Sequence, residues 1–326
     1  VSLRNKRLLL LVVWALPIAG VVWWATKQRA PTFPSSFGGI MALVVALGLY
    51  AVATLIRSER WAHILWRADV SDVTRGEAYA LVPVGYMGNN VLPARGGELL
   101  RTFLLGGRVT ATKRTILGTI LAERVLDAVA LGVILVVLAA DLLRRLPKPN
   151  EALLLLGGAL VLAVALAAAV AFLRYRERLV FVLRALAPVA APSRQLLSRF
   201  GLVLLAASLV IWCVEASVYI AVGHAVGIGL SPQDGLAVVA FTNAAALIPA
   251  APGYIGTYDA AVIFAVDAVS SAAKSSVLSY LLLLRFVLFI PITIAGLVLL
   301  VIRYGGLSRI RAARAAARAE TAAATA

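Results

Sequence analysis

The stretch GYMGNNVLPARGGELLR, Gly85 to Arg101, carries two Asn, four Gly, one Pro, two Arg and one Glu within an otherwise apolar region. A bilayer offers no water to pair exposed backbone groups. Gly- and Pro-broken polar chain is therefore tolerated at membrane depth only inside protein or along a cavity. The stretch reads as a re-entrant turn lining a site, with two short apolar arms in 78–107 around residues 89–97. A second stretch answers it inside 236–269: NAAALIPAAPGYIGTYD, Asn243 to Asp259, has the same Leu/Ile-Pro step, clustered Gly and closing carboxylate.

The surrounding chain makes a membrane the natural frame for both turns. Its 326 residues are 62% hydrophobic, with a mean hydropathy of +0.95 and apolar runs long enough to cross a hydrocarbon core. The formal charge of +16 does not point to nucleic acid, because the basic residues fall between the apolar runs and form no soluble basic domain. The single cysteine, Cys213, gives no disulfide framework, and two histidines do not make a metal cluster. No cofactor is expected.

The fold class expected is an all-α polytopic integral membrane protein. Six spanning helices fall at 8–25, 38–56, 116–140, 152–173, 201–224 and 277–302, and two re-entrant helical hairpins lie between them. The first apolar run is longer than a signal-peptide core and reads as a retained span. Residues 1–302 form one transmembrane domain, and 303–326 form a basic tail. Most Lys and Arg cluster in 4–7, 57–75, 101–114, 174–199 and the tail, which the positive-inside rule assigns to the cytoplasm together with both termini. Trp61, His63 and Trp66, set among Arg57, Arg60 and Arg67, read as interfacial anchors.

The two broken stretches also sit in matching surroundings. Span, broken stretch and span recur in 38–140 and about 200–302, and a separation of 161 residues relates Glu98 to Asp259 and Arg124 to Arg285. Pro93 and Pro249 are 156 apart, so the second turn is the longer. With the topology above, the units are antiparallel, an inverted repeat whose interrupted helices meet at the midplane.

Ionisable residues at bilayer depth usually face a cavity or pair internally. Glu123 and Asp127 share one helix face while Arg124 points roughly 100° away, so all three do not serve one partner. One reading is structural: salt bridges hold this span to a re-entrant arm. The functional reading makes Arg95, Arg124 and Arg285 the phosphate-contacting cations, because guanidinium matches phosphate geometry and stays charged. Glu98, Glu123 and Asp259 then orient those arginines, meet a cationic head group or exchange protons. Asn89, Asn90, Asn243 and Tyr258 satisfy exposed carbonyls or bind a polar ligand. Glu215, alone in its span, faces the same cavity or is paired structurally.

With these residues in place, the chain resembles the flippase-like family of the lysylphosphatidylglycerol synthase transmembrane domain, as found in the membrane part of multiple peptide resistance factors. The resemblance rests on NNVLPARGGELLR at Asn89 to Arg101, AERVLD at Ala122 to Asp127 and IPAAPGYIGTYDAA at Ile248 to Ala261, and it covers nearly the whole chain. It implies two re-entrant elements and movement of polar lipids between leaflets. In multiple peptide resistance factors a soluble aminoacyl-transferase domain follows such a region; the sequence here runs to Ala326, and the synthase activity is not expected of it.

The function expected is a lipid translocator in the cell membrane, not an enzyme. Its partner is a phospholipid or a polyprenyl-phosphate-type lipid head group, with anionic lipids gathered at the basic cytoplasmic face. Two alternatives stand beside it. One is a non-transporting partner of an envelope-biosynthesis enzyme acting on lipid or glycan. The other is a membrane-embedded lipid phosphate transferase or phosphatase with Glu123 or Asp127 as base, against which the chain shows no nucleophile, base and orienter set.

Overall fold

The computed structural model describes residues 33–92, 96–145, 198–245 and 252–306, together with Thr26 and Pro31. The first and fourth expected spans, nearly all of the 174–199 loop, the tail beyond 306, Arg95 and both turn prolines, Pro93 and Pro249, lie outside the described residues. The described chain is helical, with no strand among its residues. In order it runs α1 (Phe37–Arg67), α2 (Arg75–Val91), α3 (Gly96–Gly106), α4 (Lys113–Arg145), α5 (Arg199–Ala225) and α6 (Pro232–Ala245). A 3₁₀ turn (Pro252–Tyr254), α7 (Thr257–Val269) and α8 (Lys274–Tyr304) complete it.

Three of these helices are long and apolar enough to cross a membrane: α1, α5 and α8, each with an 18-residue stretch of mean hydropathy 2.4, 2.1 and 2.6 respectively. At 27 to 31 residues they extend about 40–47 Å, more than the hydrocarbon thickness of about 30 Å. Their outer faces carry large exposed apolar side chains, such as Val44, Val52 and Leu55 on α1, Leu202 and Val210 on α5, and Ile294 and Val301 on α8. So much exposed apolar surface suits contact with lipid. Helix α4 has 33 residues and carries Glu123, Arg124 and Asp127 in its first half.

Between the long helices lie the two broken stretches, each a pair of short helices. Helices α2 and α3 have 17 and 11 residues, and α6 and α7 have 14 and 13. At 1.5 Å per residue these are about 16–26 Å long. The first pair closes because glycine lets the backbones touch. A Cβ on Gly97 would lie 1.9 Å from the Gly85 carbonyl oxygen, and one on Gly88 would lie 2.5 Å from the Gly97 Cα. The Gly97 N–H then donates to Asn89 Oδ1 at 3.0 Å, so this Asn satisfies a backbone N–H at the turn, where the sequence leads one to expect a carbonyl as its partner. The pair leans on α8 at another close approach, where a Cβ on Gly296 would sit 2.5 Å from the Pro83 carbonyl oxygen.

Helix α2 starts with a capping box, in which the Glu77 N–H donates to Thr74 Oγ1 and the Thr74 N–H donates to Glu77. Thr74→Ala removes one side of it and should lower stability by about 1 kcal/mol, read as a small drop in melting temperature of the detergent-purified chain. An unchanged melting temperature would mean that packing alone sets this helix start. Nearby, the Thr110 N–H and hydroxyl both donate to Asp72 Oδ2, at 2.7 and 3.0 Å, tying the α1–α2 loop to the α3–α4 loop. These bonds, the backbone one foremost, hold the Asp72 carboxyl below the usual carboxylate range.

Two apolar clusters flank the middle of the molecule. One gathers Tyr219, Val238, Val262, Tyr280, Leu284 and Val287 from α5, α6, α7 and α8. The other gathers Trp61, Leu65, Leu81, Leu105 and Ile116 from α1 to α4. Trp61 is fully buried and its indole N–H donates to Thr119 Oγ1 at 3.1 Å, so it is a core residue and not the interfacial anchor its basic neighbours suggested.

The segment read as a basic loop is the larger correction. Helix α1 runs on to Arg67, and Arg57 and Arg60 are buried within it. A window of apolar residues cannot anticipate this, because a helix that buries its charges against partners from elsewhere in the chain has no reason to end where hydropathy falls.

Candidate functional site

The long helices and the hairpins enclose a cavity with about 790 Å³ of empty space counted out to its mouth. Its charged lining comes from Arg57 on α1, Glu98 on α3, Arg124 and Asp127 on α4, and Glu215 on α5. Amides from both broken stretches join them, Asn89 and Asn90 from α2 and Asn243 from α6. The rest is largely aromatic: Tyr50, Tyr86, Trp212, Tyr219, Tyr254, Tyr258 and Phe289.

The charges are arranged as partnered ions. Arg57 binds Glu215, both nearly excluded from solvent, and its guanidinium lies 5.4 Å from the Trp212 ring centroid and 5.9 Å from that of Tyr86. Arg60 donates to Asp127 Oδ1 at 2.7 Å and to Ser208 Oγ at 2.5 Å, and lies 3.8 Å from Glu123 Oε1. Arg101 donates to Glu123 Oε2 at 2.9 Å, with its guanidinium 3.8 Å from the Trp61 ring centroid. Arg124 lies 3.7 Å from Glu98 Oε1 and 3.5 Å from Asp127 Oδ2. Among the described residues, Arg60, Arg101 and Arg124 thus form a network with Glu98, Glu123 and Asp127, and Arg57–Glu215 is a separate pair; together they tie α1, α3, α4 and α5.

The helical spacing on α4 explains how three neighbouring charges reach different elements. Glu123 and Asp127 share a face, and Arg60 bridges them, while Arg124 reaches Glu98 on the hairpin as well as Asp127 on its own helix. Both structural and cavity roles are therefore present in this one helix. Glu123 is 2% exposed and does not line the cavity; it holds Arg101 and Arg60. Arg124 and Asp127 do line it.

Asp259 and Arg285 form a second pair, Arg285 Nε to Asp259 Oδ1 at 2.5 Å, behind the cavity wall. Arg285 also donates to the carbonyl oxygens of Gly253 and Tyr254, at 3.1 and 3.5 Å. The turn needs that support, since Tyr254 has φ 56°, a left-handed conformation costing an L-residue about 1–2 kcal/mol. Asp259 meanwhile accepts the Gly256 N–H at 2.9 Å, where Gly256 has φ 93°. Arg285 and Asp259 therefore build the second turn, and Arg285 lies 5.4 and 5.0 Å from the ring centroids of Tyr258 and Phe289, which face the cavity.

Of the residues singled out in the sequence, the cavity gathers Asn89, Asn90, Glu98, Arg124, Asp127, Asn243 and Tyr258. Sequence reasoning missed Arg57 and Arg60, counted as loop charges, and Arg101, counted as an inner-face charge. All three are buried in ion pairs. The signal for them was available: Arg57 and Arg60 continue the helical run of 38–56 without a Pro or Gly to stop it. Tyr50, Tyr86 and Trp212 carried no such signal. Tyr219 donates or accepts with Tyr258 at 2.9 Å and with Thr242 at 3.2 Å, which fixes part of the aromatic wall.

Long apolar helices around a charged and aromatic cavity define an integral membrane protein of the all-helical class. The chain belongs to the family of the lysylphosphatidylglycerol synthase TM region, whose model matches residues 7–296. No curated protein and no solved structure matches it. Membership of this family indicates a role connected with membrane lipids.

Proposed function

We propose that this protein is a lipid translocator of the cell membrane, with cytoplasmic termini, that passes a phosphate-bearing polar head group between leaflets through the cavity. The observation that carries this reading is the cavity itself, a charged and amide-rich space lined by both helical hairpins among helices whose outer faces are apolar. The physical task is to carry a polar group across roughly 30 Å of hydrocarbon, and partnered charges inside protein supply a path that lipid does not.

Two features support a re-entrant, inverted-repeat arrangement. The arms of both hairpins are shorter than the long helices flanking them. The residues 161 apart also behave alike: Glu98 and Asp259, each in the first turn of its hairpin's second arm, reach Arg124 and Arg285 on the following long helix. Alternating exposure of two such halves is a recurring transport design.

Within the cavity, Arg124 is the guanidinium that a phosphate reaches. Its side chain is 33% exposed and its contact with Glu98 is long at 3.7 Å, whereas Arg57 is enclosed with Glu215. The test uses liposomes holding a head-group-labelled phospholipid and a membrane-impermeant quencher. The wild type should expose label from both leaflets, and Arg124→Ala should fall to the level of protein-free liposomes while keeping the wild-type elution profile. Quenching confined to the outer leaflet in wild-type liposomes would sink the translocator reading. Full activity of the Arg124→Ala chain would remove this residue from the path.

A further inference from the structure

The cavity's hydrogen-bonding capacity names the chemistry of its occupant more closely than its charges do. Arg57 is claimed by Glu215, and among the described residues the lining sets two guanidiniums, Arg57 and Arg124, against three carboxylates, Glu98, Asp127 and Glu215, so it holds no surplus cation. Arg124 keeps an Nε without a hydrogen-bond partner among the described residues, and beside it stand neutral groups with hydrogen-bonding capacity to spare. The hydroxyls of Tyr50 and Tyr86 line the cavity with no hydrogen-bond partner among the described residues, and Tyr50 is only 8% exposed. Asn90 donates to Thr293 Oγ1 at 2.9 Å and Asn243 donates to the Val239 carbonyl oxygen at 3.0 Å, which leaves each its amide oxygen and a second N–H. Asn89 accepts from Gly97, which leaves its NH₂. The lining thus offers phenols and side-chain amides able both to donate and to accept, beside aromatic ring faces.

A phosphate only accepts and an ammonium only donates, whereas a hydroxyl does both. Building on the translocator reading, we propose that the part of the head group seated in this cavity is an uncharged polyhydroxyl group, a sugar or cyclic polyol. Its hydroxyls meet Tyr50, Tyr86 and the three asparagines, and its C–H face lies against the aromatic wall. Phosphate, where the lipid has one, stays beside Arg124. Three sources carry this chemistry: a glycosyl diacylglycerol, an inositol phospholipid and a polyprenyl-phosphate sugar.

The test is competitive retention on the detergent-purified full chain, read by native mass spectrometry. Equimolar phosphatidylinositol, glucosyl diacylglycerol and polyprenyl-phosphate glucose compete with phosphatidic acid and phosphatidylethanolamine. At least one hydroxyl-rich lipid should be retained about tenfold over phosphatidic acid and phosphatidylethanolamine, and which one identifies the source. Tyr50→Phe and Tyr86→Phe keep the rings and should each lower that retention roughly 2- to 10-fold while leaving phosphatidic acid unchanged. Equal or better retention of phosphatidic acid or phosphatidylethanolamine overturns the inference, as does a sugar preference that survives both substitutions. If label still crosses the bilayer in the liposome assay in those cases, the translocator reading stands without it. Loss of both retention and transport removes both readings.

Discussion

Arg57→Ala should be the most damaging single truncation on α1, lowering stability by about 3–5 kcal/mol, because it leaves Glu215 buried without its cation. The pair joins residues 158 apart in the chain, on helices α1 and α5, and both side chains are under a tenth exposed. A carboxylate only 9% exposed recovers little hydration, and Tyr50, Tyr86 and Tyr219 near it supply no positive charge. The measurement is thermal melting of the detergent-purified chain together with its elution profile.

Replacing both members, as Arg57→Met with Glu215→Met, removes the orphaned charge and should restore most of the lost stability, since well-packed apolar replacements of a buried pair are often neutral or better. The double variant should still fail in transport, because Arg57 and Glu215 both line the cavity. A single variant that melts like the wild type would show that the pair does not hold α1 to α5.

Gly97→Ala should have the second large effect, a loss at or above the upper end of the 1–3 kcal/mol typical of overpacked sites. Its Cβ would fall 1.9 Å from the Gly85 carbonyl oxygen and 2.7 Å from both the Asn89 backbone nitrogen and Asn89 Oδ1. These are backbone atoms and the acceptor of the turn's own hydrogen bond, so no flexible side-chain end can swing away to relieve the contact. The arms α2 and α3 must separate, and Glu98 is carried away from Arg124 with them.

Gly132→Ala on α4 is the matched control, since nothing lies within 4 Å of its Cβ, and alanine there should be neutral or stabilising by up to about 1 kcal/mol. Melting and transport of the two variants decide the matter. A Gly97→Ala chain as stable and active as Gly132→Ala would mean that the hairpin is not closed as described.

Much of the site was legible because its residues are anomalies in their own neighbourhoods. Asn89, Asn90, Glu98, Arg124 and Asp127 stand out in apolar sequence, where each has a cost that some contact must offset, and all five line the cavity. The 161-residue separation likewise picked out Arg124 with Glu98 and Arg285 with Asp259 as comparable pairs. Glu123 shows the limit of that logic: it is as anomalous as Asp127, yet it turns to Arg101 and Arg60 and stays out of the cavity.

By itself, the order of residues determined that this chain is helical, that long apolar helices alternate with two short-armed breaks, and which polar residues interrupt the apolar runs. Those are local properties, set by hydropathy, helix period and the backbone demands of Gly and Pro. Only the tertiary structure decided which charge meets which. Arg57 and Arg60 sit one helical turn apart and read alike in sequence, but one faces Glu215 on α5 and the other Asp127 on α4. Partner choice among buried ions depends on how helices distant in the chain are packed and rotated, and a linear pattern of residues does not contain that rotation.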